Sequence, residues 1–145
     1  QLGLDVSANI EKRWGNDWSV SATGSYSYLS ATDRTDPLEL SYGDQIAYTP
    51  HHSGAANILI HSPWLDFGYN VLLMGERYTL GYNIPHNRMS AFTDHSITLS
   101  REFNINKQQL RVQFDVRNLG NKNYEVVRFY PMPGTNWRLS VSWEL

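Results

Sequence analysis

Apolar and polar residues alternate strictly along the last part of the chain. The apolar positions are Trp137, Leu139, Val141, Trp143 and Leu145, and every residue between them is polar. The preceding segment repeats the pattern with Leu110, Val112, Phe114 and Val116. Because successive side chains of a β-strand point to opposite faces, this period of two predicts two strands, each with one apolar and one polar face.

The same alternation recurs upstream and predicts seven strands in all. Their predicted bounds are residues 2–12, 18–29, 48–60, 65–78, 92–103, 109–117 and 136–145. Most of these strands have roughly 10–13 residues, and about 9–11 residues suffice to cross a bilayer when a strand is tilted. The strands are therefore long enough to span a membrane.

The connections between the predicted strands alternate between short and long. A membrane barrel has short turns on its periplasmic rim and long loops on its extracellular rim, whereas a soluble sandwich has no reason to keep this asymmetry. Aromatic residues near the strand ends fit the interfacial girdles of a membrane barrel; they are Trp14, Trp18, Trp64, Tyr78, Trp137 and Trp143. The predicted fold class is all-β, an antiparallel segment of a transmembrane β-barrel.

Composition excludes several other classes. The chain of 145 residues has no cysteine, so it can form neither a disulfide nor a thiolate metal site. Its formal net charge is −2 and it has no basic run, so nucleic acid is not an expected partner. Its longest purely aliphatic run, Val71–Met74, is far too short for a transmembrane helix. The mean hydropathy of −0.48 still suits a barrel, because only alternate residues meet lipid.

The order of several short motifs resembles one family. Asn118-Leu119 is followed by Lys122 and Tyr124-Glu125, then by Tyr130-Pro131-Met132-Pro133-Gly134 and a last alternating strand. Upstream, Tyr48-Thr49-Pro50-His51-His52 and Gly75-Glu76-Arg77-Tyr78 are similar to a strand entry and a strand exit of the same family. From about Trp18 onward the chain resembles the C-terminal barrel portion of TonB-dependent outer-membrane receptors. It departs from the family pattern at Gly120, at Thr135-Asn136 and at Leu145.

This resemblance implies a larger object than seven strands. An open sheet in hydrocarbon would leave backbone groups unpaired, at several kcal/mol per group, and single-chain bacterial barrels have even strand numbers. Family receptors close with about 22 strands around a plugged lumen. We therefore expect the partners of residues 1–145 to be the remaining N-terminal barrel and plug, TonB acting through that N-terminal part, outer-membrane lipid, a surface lipoprotein and a small-molecule ligand.

The function implied by the resemblance is active transport into a bacterial cell across its outer membrane. The ligand would be a scarce, bulky nutrient, with cobalamin, ferric siderophore and haem as the usual substrates of the family. Two other classes remain open: a passive porin-like barrel, and a small soluble β-barrel that binds a lipophilic ligand in its core. We expect neither a catalytic constellation nor a cofactor, since the Ser, His and Asp residues are scattered over opposite rims.

Candidate ligand contacts come from the long loops, because binding groups favour loops on a rigid scaffold and hot spots favour aromatics and arginine. These candidates are Tyr42, Arg77, Tyr78, Tyr82, Arg88, Tyr124, Arg128, Phe129 and Tyr130. For each tyrosine the alternative is a place in the membrane-interface girdle.

Charged residues on the polar side of the strands would line the lumen. They are Asp94, Glu102, Arg111, Asp115, Arg117 and Arg138. Such mixed charges would pair with the plug, or would line a water-filled wall without a specific partner.

No metal site is predicted. His51 and His52 are adjacent on a strand and point to opposite faces, so they cannot easily bind one ion. The loop carboxylates Asp33, Asp36 and Asp44 match no defined calcium-loop spacing.

Overall fold

The computed structural model describes residues 1–15, 17–105 and 108–144, and nearly all of their regular structure is β-strand. The strands are β1 (Leu2–Trp14), β2 (Trp18–Ser30), β3 (His52–His61), β4 (Asp66–Met74), β5 (Arg77–Tyr78), β6 (Arg88–Met89), β7 (Phe92–Ile105), β8 (Gln108–Arg117), β9 (Glu125–Val127), β10 (Tyr130–Pro131) and β11 (Asn136–Glu144). A single 3₁₀ turn is formed in these ranges, at Pro85–Asn87. No helix of the described chain is long and apolar enough to cross a membrane.

The seven long strands form one antiparallel sheet in the order β1-β2-β3-β4-β7-β8-β11. Each long strand therefore pairs with the next long strand along the chain. The short strands form two separate ribbons, β5 with β6 and β9 with β10. The prediction of seven antiparallel membrane-type strands is confirmed.

The pairing register aligns the two sides of the sheet. One row across neighbouring strands contains Leu139, Phe114, Leu99, Phe67, Ile60 and Val20, and we call this side the apolar face. A row on the other side contains Ser140, Gln113, Ser100 and Asp66, and we call it the polar face. The alternation in the sequence thus becomes two chemically distinct surfaces.

The protein covers neither face of the sheet. The only buried apolar residues in the described ranges are Ala31, Met89 and Phe92, and they lie in or beside the long connections. A soluble sandwich would pack a second sheet on the apolar face. An uncovered apolar surface of this extent instead marks contact with a membrane or another protein. The arrangement therefore counts against a small soluble β-domain with its own core.

The third and fourth strands differ from their predicted bounds. β3 begins at His52 rather than residue 48, because Tyr48 has a positive φ of 57° and Pro50 has no N–H to donate to a ladder. β4 ends at Met74, and Arg77–Tyr78 forms a separate short strand instead of continuing to residue 78. The other five long strands start and end within about two residues of prediction, as is usual for strand ends.

Four predicted positions fall outside the described residues. Asn16 belongs to the first predicted turn, Asn106 and Lys107 to the third short turn, and Leu145 to the end of the last predicted strand.

Three long connections lie at one end of the sheet. We call them loop 1 (residues 31–51), loop 2 (75–91) and loop 3 (118–135). The ends of loop 3 are joined by Asn118, which is 3% exposed and donates from Nδ2 to the carbonyls of Lys122 (2.9 Å) and Pro133 (3.0 Å). Its Oδ1 accepts from the Lys122 N–H at 2.9 Å. One buried amide thus holds both ends of an 18-residue loop in place.

Candidate ligand site at the loop end of the sheet

Loops 1 and 2 are joined by hydrogen bonds that backbone N–H groups donate. The N–H of Tyr48 donates to the carbonyl of Tyr78 at 2.7 Å. The N–H of Asn83 donates to Asp44 Oδ2 at 2.9 Å. These contacts hold loop 1 against loop 2 where both leave the sheet.

Loops 2 and 3 are joined by Arg77. Its side chain is buried (2% exposed), and its Nη2 donates to the carbonyls of Glu125 at 2.6 Å and Val126 at 2.9 Å. Its Nη1 has no hydrogen-bond partner among the described residues. Burial lowers the pKa of Arg77 from its usual value, because the charged form is desolvated. Arg77 is thus a buried tie between two loops and not an exposed ligand contact.

Phe92 stands at the centre of this junction. The Arg77 guanidinium lies 5.5 Å from its ring centroid, and the Tyr124 ring stacks on it at 4.1 Å. The Tyr124 hydroxyl donates to Asp94 Oδ2 at 2.7 Å. Burial, and then the neighbouring Asp94 carboxylate, raises the pKa of Tyr124 to about 12. Strand β7 is thereby connected to both loops.

The rest of the Gly75–Tyr78 segment is also structural. The N–H of Gly75 donates to the His52 carbonyl at 2.7 Å, and a Cβ at Gly75 would lie only 2.7 Å from that oxygen. Glu76 pairs with Arg88 at 3.0 Å. Since backbone approaches this close exclude any side chain, Gly75 is required by geometry.

A cleft of about 650 Å³ opens between loops 2 and 3, next to Phe92 and Tyr124. Its charged lining residues are Arg88, Lys122, Glu125 and Arg128. Its other lining residues include Phe92, Tyr124, Phe129 and Pro131. A volume of this order is typical of small-molecule sites, which combine aromatic walls with a few polar groups.

The charge balance of the cleft favours a negatively charged group inside it. It has three cationic side chains against one carboxylate, although Glu76 partly neutralises Arg88. Arg128 lies 5.3 Å from the ring centroid of Phe129. Phe129 itself is 80% exposed, with a positive φ of 67°. A non-glycine residue in this backbone region is uncommon and costs of order 1–3 kcal/mol.

The structure brings four of the nine predicted ligand residues together at the cleft: Arg88, Tyr124, Arg128 and Phe129. Arg77 and Tyr78 instead belong to the loop junction. Tyr42, Tyr82 and Tyr130 are exposed on the three loops and do not line the cleft.

Sequence reasoning missed Phe92, Lys122 and Glu125 as cleft residues. Phe92 occupies a polar-face position, opposite Met74, so the alternation of β7 begins with a mismatch. An aromatic residue out of phase at a strand end was the one available signal. Lys122 and Glu125 offered none, because a charged loop residue is ordinarily solvated.

The six predicted lumen charges all lie on the polar face, but Asp94, Asp115 and Arg138 already form hydrogen bonds within the chain. Asp115 is 5% exposed and accepts hydrogen bonds from Thr98 (2.8 Å), Gln113 (3.0 Å) and Arg138 (3.0 Å), so it connects β7, β8 and β11. Asp94 is bound by Tyr124. In the described residues, Glu102, Arg111 and Arg117 form no ion pair.

Loop 1 directs its carboxylates to separate backbone and hydroxyl groups. Asp33 accepts from the N–H and hydroxyl of Thr35 at 2.9 and 2.7 Å, which lowers its pKa. Asp36 accepts from the Leu38 N–H at 2.9 Å, and Asp44 contacts loop 2. No group of three or more His, Asp or Glu side chains in the described ranges is arranged to hold a metal ion.

One comparison with known proteins identifies the chain. Residues 2–119 match the family model described as TonB dependent receptor-like, beta-barrel. Members of this family are TonB-dependent transporters of the bacterial outer membrane and not enzymes. No curated protein sequence matches the chain. The match ends at Leu119, before the cleft residues of loop 3.

Replacing Arg77 with Ala should loosen loop 3. The change removes two hydrogen bonds to the carbonyls of Glu125 and Val126, and each bond to a charged group contributes about 1.5–3 kcal/mol. We expect trypsin to cleave the folded protein in detergent micelles after Arg128 at least about tenfold faster, since local opening controls cleavage. Arg34→Ala, an exposed change in loop 1, is the matched control. Equal cleavage rates in both variants would show that Arg77 does not hold the loop.

Replacing Tyr124 with Phe should lower the stability of the protein by an amount that depends on pH. The folded-state pKa of Tyr124, about 12, lies above its ordinary value of 10.0. The stabilisation that the Tyr124 hydroxyl provides is therefore complete below pH 10.0, and it is lost as the pH rises through about 12. The thermal midpoints of the unchanged protein and of Tyr124→Phe, measured by circular dichroism, should differ by a constant amount up to pH 10.0 and converge above it. Tyr82→Phe is the control for an exposed tyrosine, and a gap that persists unchanged at high pH contradicts the assignment.

Proposed function

Because the chain belongs to the TonB-dependent receptor-like β-barrel family, we propose that it is the C-terminal wall of a receptor that imports a scarce, bulky nutrient. TonB energises the transport through a part of the receptor outside residues 1–145. The three long loops face the cell exterior, and the short connections face the periplasm. The rest of the barrel pairs with the outer edges of β1 and β11, which have no neighbour among the described strands.

The cleft between loops 2 and 3 is the observation that carries this proposal. Its lining contains guanidinium, ammonium and aromatic groups at the loop end of the sheet. Arginine and aromatic side chains provide most of the binding energy at typical recognition sites. The cleft is therefore the part of this chain where a ligand first binds.

The charge of the cleft narrows the ligand class. Arg88, Lys122 and Arg128 outnumber Glu125, so the site suits a ligand that carries carboxylate, phenolate or phosphate groups. The rings of Tyr124 and Phe129 provide flat contact surfaces next to these cations. A ferric siderophore or haem fits this combination better than cobalamin, which carries less negative charge for its size.

The plug itself is held by charges that the wall leaves open. Glu102 and Arg111 are paired in register across β7 and β8, and Arg117 ends β8. None of the three forms an ion pair within the described residues, in contrast to Asp115 with Arg138. Groups of both signs in a confined lumen can pair with opposite charges on the plug.

Uptake should require energy if the receptor is an active transporter. We expect cells that produce the full receptor to accumulate labelled ferric siderophore or haem, and a proton uncoupler to abolish accumulation while leaving surface binding intact. A passive porin-like barrel would instead equilibrate small solutes with or without the uncoupler. Accumulation that is insensitive to the uncoupler would therefore refute the proposal.

Charge reversal at Arg128 tests the cleft directly. Arg128→Glu places a carboxylate next to Glu125 and should weaken binding of an anionic ligand roughly tenfold, as expected for the loss of one hot-spot contact. The dissociation constant on intact cells is the measurement. Arg34→Glu makes the same change on loop 1, away from the cleft, and should leave affinity within about twofold. Equal effects of the two variants would exclude a specific role for Arg128.

A further inference from the structure

A strained two-residue turn forms the tip of loop 3. In the hairpin of β9 and β10, Val127 pairs with Tyr130, so Arg128 and Phe129 are the two central turn residues. Only the second of them, Phe129, has a positive φ, at 67°. This pattern matches a type II turn, whose second central position normally requires Gly or Asn. Two-residue hairpins also favour type I′ and II′ turns, so both the residue and the turn type are unfavourable.

Packing within the chain does not explain the strain at Phe129. Its ring is 80% exposed, and the Arg128 guanidinium lies 5.3 Å from the ring centroid. Residues held in such backbone conformations persist only where their surroundings fix them, and they cluster at ligand clamps and binding sites. Since Phe129 also lines the cleft, its conformation points to a binding partner outside the chain.

The hairpin backbone gives this turn little support. β9 has three residues and β10 has two. Pro131 has no N–H to donate to the ladder, and the register shifts between Tyr130 and Pro131. A two-stranded hairpin is at best marginally stable in water even when it is longer than this one. Another group must therefore hold the turn.

The carboxylate of Glu125 is in place to hold it. Its Oε2 accepts a hydrogen bond from the N–H of Phe129, the strained residue itself, at 3.2 Å. Among the described residues Glu125 forms no ion pair, although three cationic side chains line the same cleft. The backbone of Glu125 is fixed in turn, because Arg77 Nη2 donates to its carbonyl at 2.6 Å. A buried arginine is thus connected through Glu125 to the exposed turn.

The sign of its charge separates this role from a purely electrostatic one. A carboxylate in a cleft that suits an anionic ligand opposes the binding of that ligand. Charge complementarity therefore gives no reason for Glu125 at this position. A hydrogen bond to the turn does give one, and this bond needs an acceptor oxygen rather than a negative charge.

We infer that Glu125 is a positioning residue, which holds the Arg128–Phe129 turn in the strained conformation that binds the ligand. Glu125 acts through the N–H of Phe129, while Arg128 and the Phe129 ring touch the ligand. The inference rests on the proposed function for the ligand, but the hold on the turn can be measured without one.

Three substitutions separate the charge of Glu125 from its hydrogen bond. Glu125→Gln removes the charge and keeps an acceptor oxygen at the same reach. Glu125→Asp keeps the charge on a side chain that is shorter by one methylene group. Glu125→Ala removes both the charge and the acceptor. Glu39→Ala, which removes an exposed carboxylate from loop 1, is the matched control.

Trypsin cleavage after Arg128, in the full receptor in detergent micelles, measures how readily the turn opens. The bond that trypsin cuts contains the N–H that Glu125 binds. We expect cleavage about fivefold faster in Glu125→Ala and Glu125→Asp, the effect of losing one hydrogen bond, because local opening controls cleavage. Glu125→Gln and Glu39→Ala should stay within about twofold of the unchanged receptor. Equal rates in the Gln and Ala variants of Glu125 would overturn the inference.

Ligand affinity provides the second readout, with haem and an Fe(III) tris-catecholate complex as the probes. The Ala and Asp variants of Glu125 should raise the Kd about fivefold, because the ring is no longer preorganised. Glu125→Gln should not raise it. If charge alone mattered, the Gln and Ala variants would both lower the Kd, and that result would also overturn the inference. Failure of both probes to bind the unchanged receptor would instead contradict the proposed ligand class, and the cleavage rates would then decide the role of Glu125.

Discussion

The fold depends on the need to pair every backbone N–H and C=O of a chain that crosses hydrocarbon. Neighbouring antiparallel strands meet this need, and the seven long strands pair in chain order for that reason. Once the ladder is fixed, each side chain is committed to one face. The row from Leu139 to Val20 then meets lipid, and the row from Ser140 to Asp66 meets the lumen. A slip of one residue would exchange the two rows.

The loops are under a different constraint. Their backbone groups lie outside the ladder, so they need other hydrogen-bond partners. Arg77 and Asn118 meet it with buried side chains that bind backbone carbonyls in loop 3. These two residues hold the loop, whereas Arg128 and Phe129 present its exposed surface. Under the proposed function, only the exposed group touches the ligand, while affinity for the ligand depends on both groups. Variation in ligand chemistry can then arise at Arg128 and Phe129 without loss of the scaffold.

The strands were predictable from sequence because alternation is a local property that the register preserves. The loop junction was not, since the partners of Arg77 are 48 and 49 residues away. An arginine in a long loop reads as a ligand contact, and only its burial shows that it is structural. The start of β3 was missed for a local reason: Tyr48 adopts a positive φ that a β-strand pattern does not reveal. Of the cleft, the exposed Arg88, Arg128 and Phe129 were predictable, while Lys122 and Glu125 became visible only in three dimensions.

The polar face shows how to separate structural charges from functional ones. Asp115 is buried and accepts hydrogen bonds from side chains of three strands, so its charge is already paired within the wall. Glu102 and Arg111 face each other across a ladder position without forming an ion pair in the part of the chain that the structure describes, so under the proposed function their charges stay available to the lumen. Both sets have the same residue types and the same alternation. Their difference lies in their partners within the wall. Under the proposed function, the charges without an ion pair, and not the charge pattern as such, mark where the plug binds.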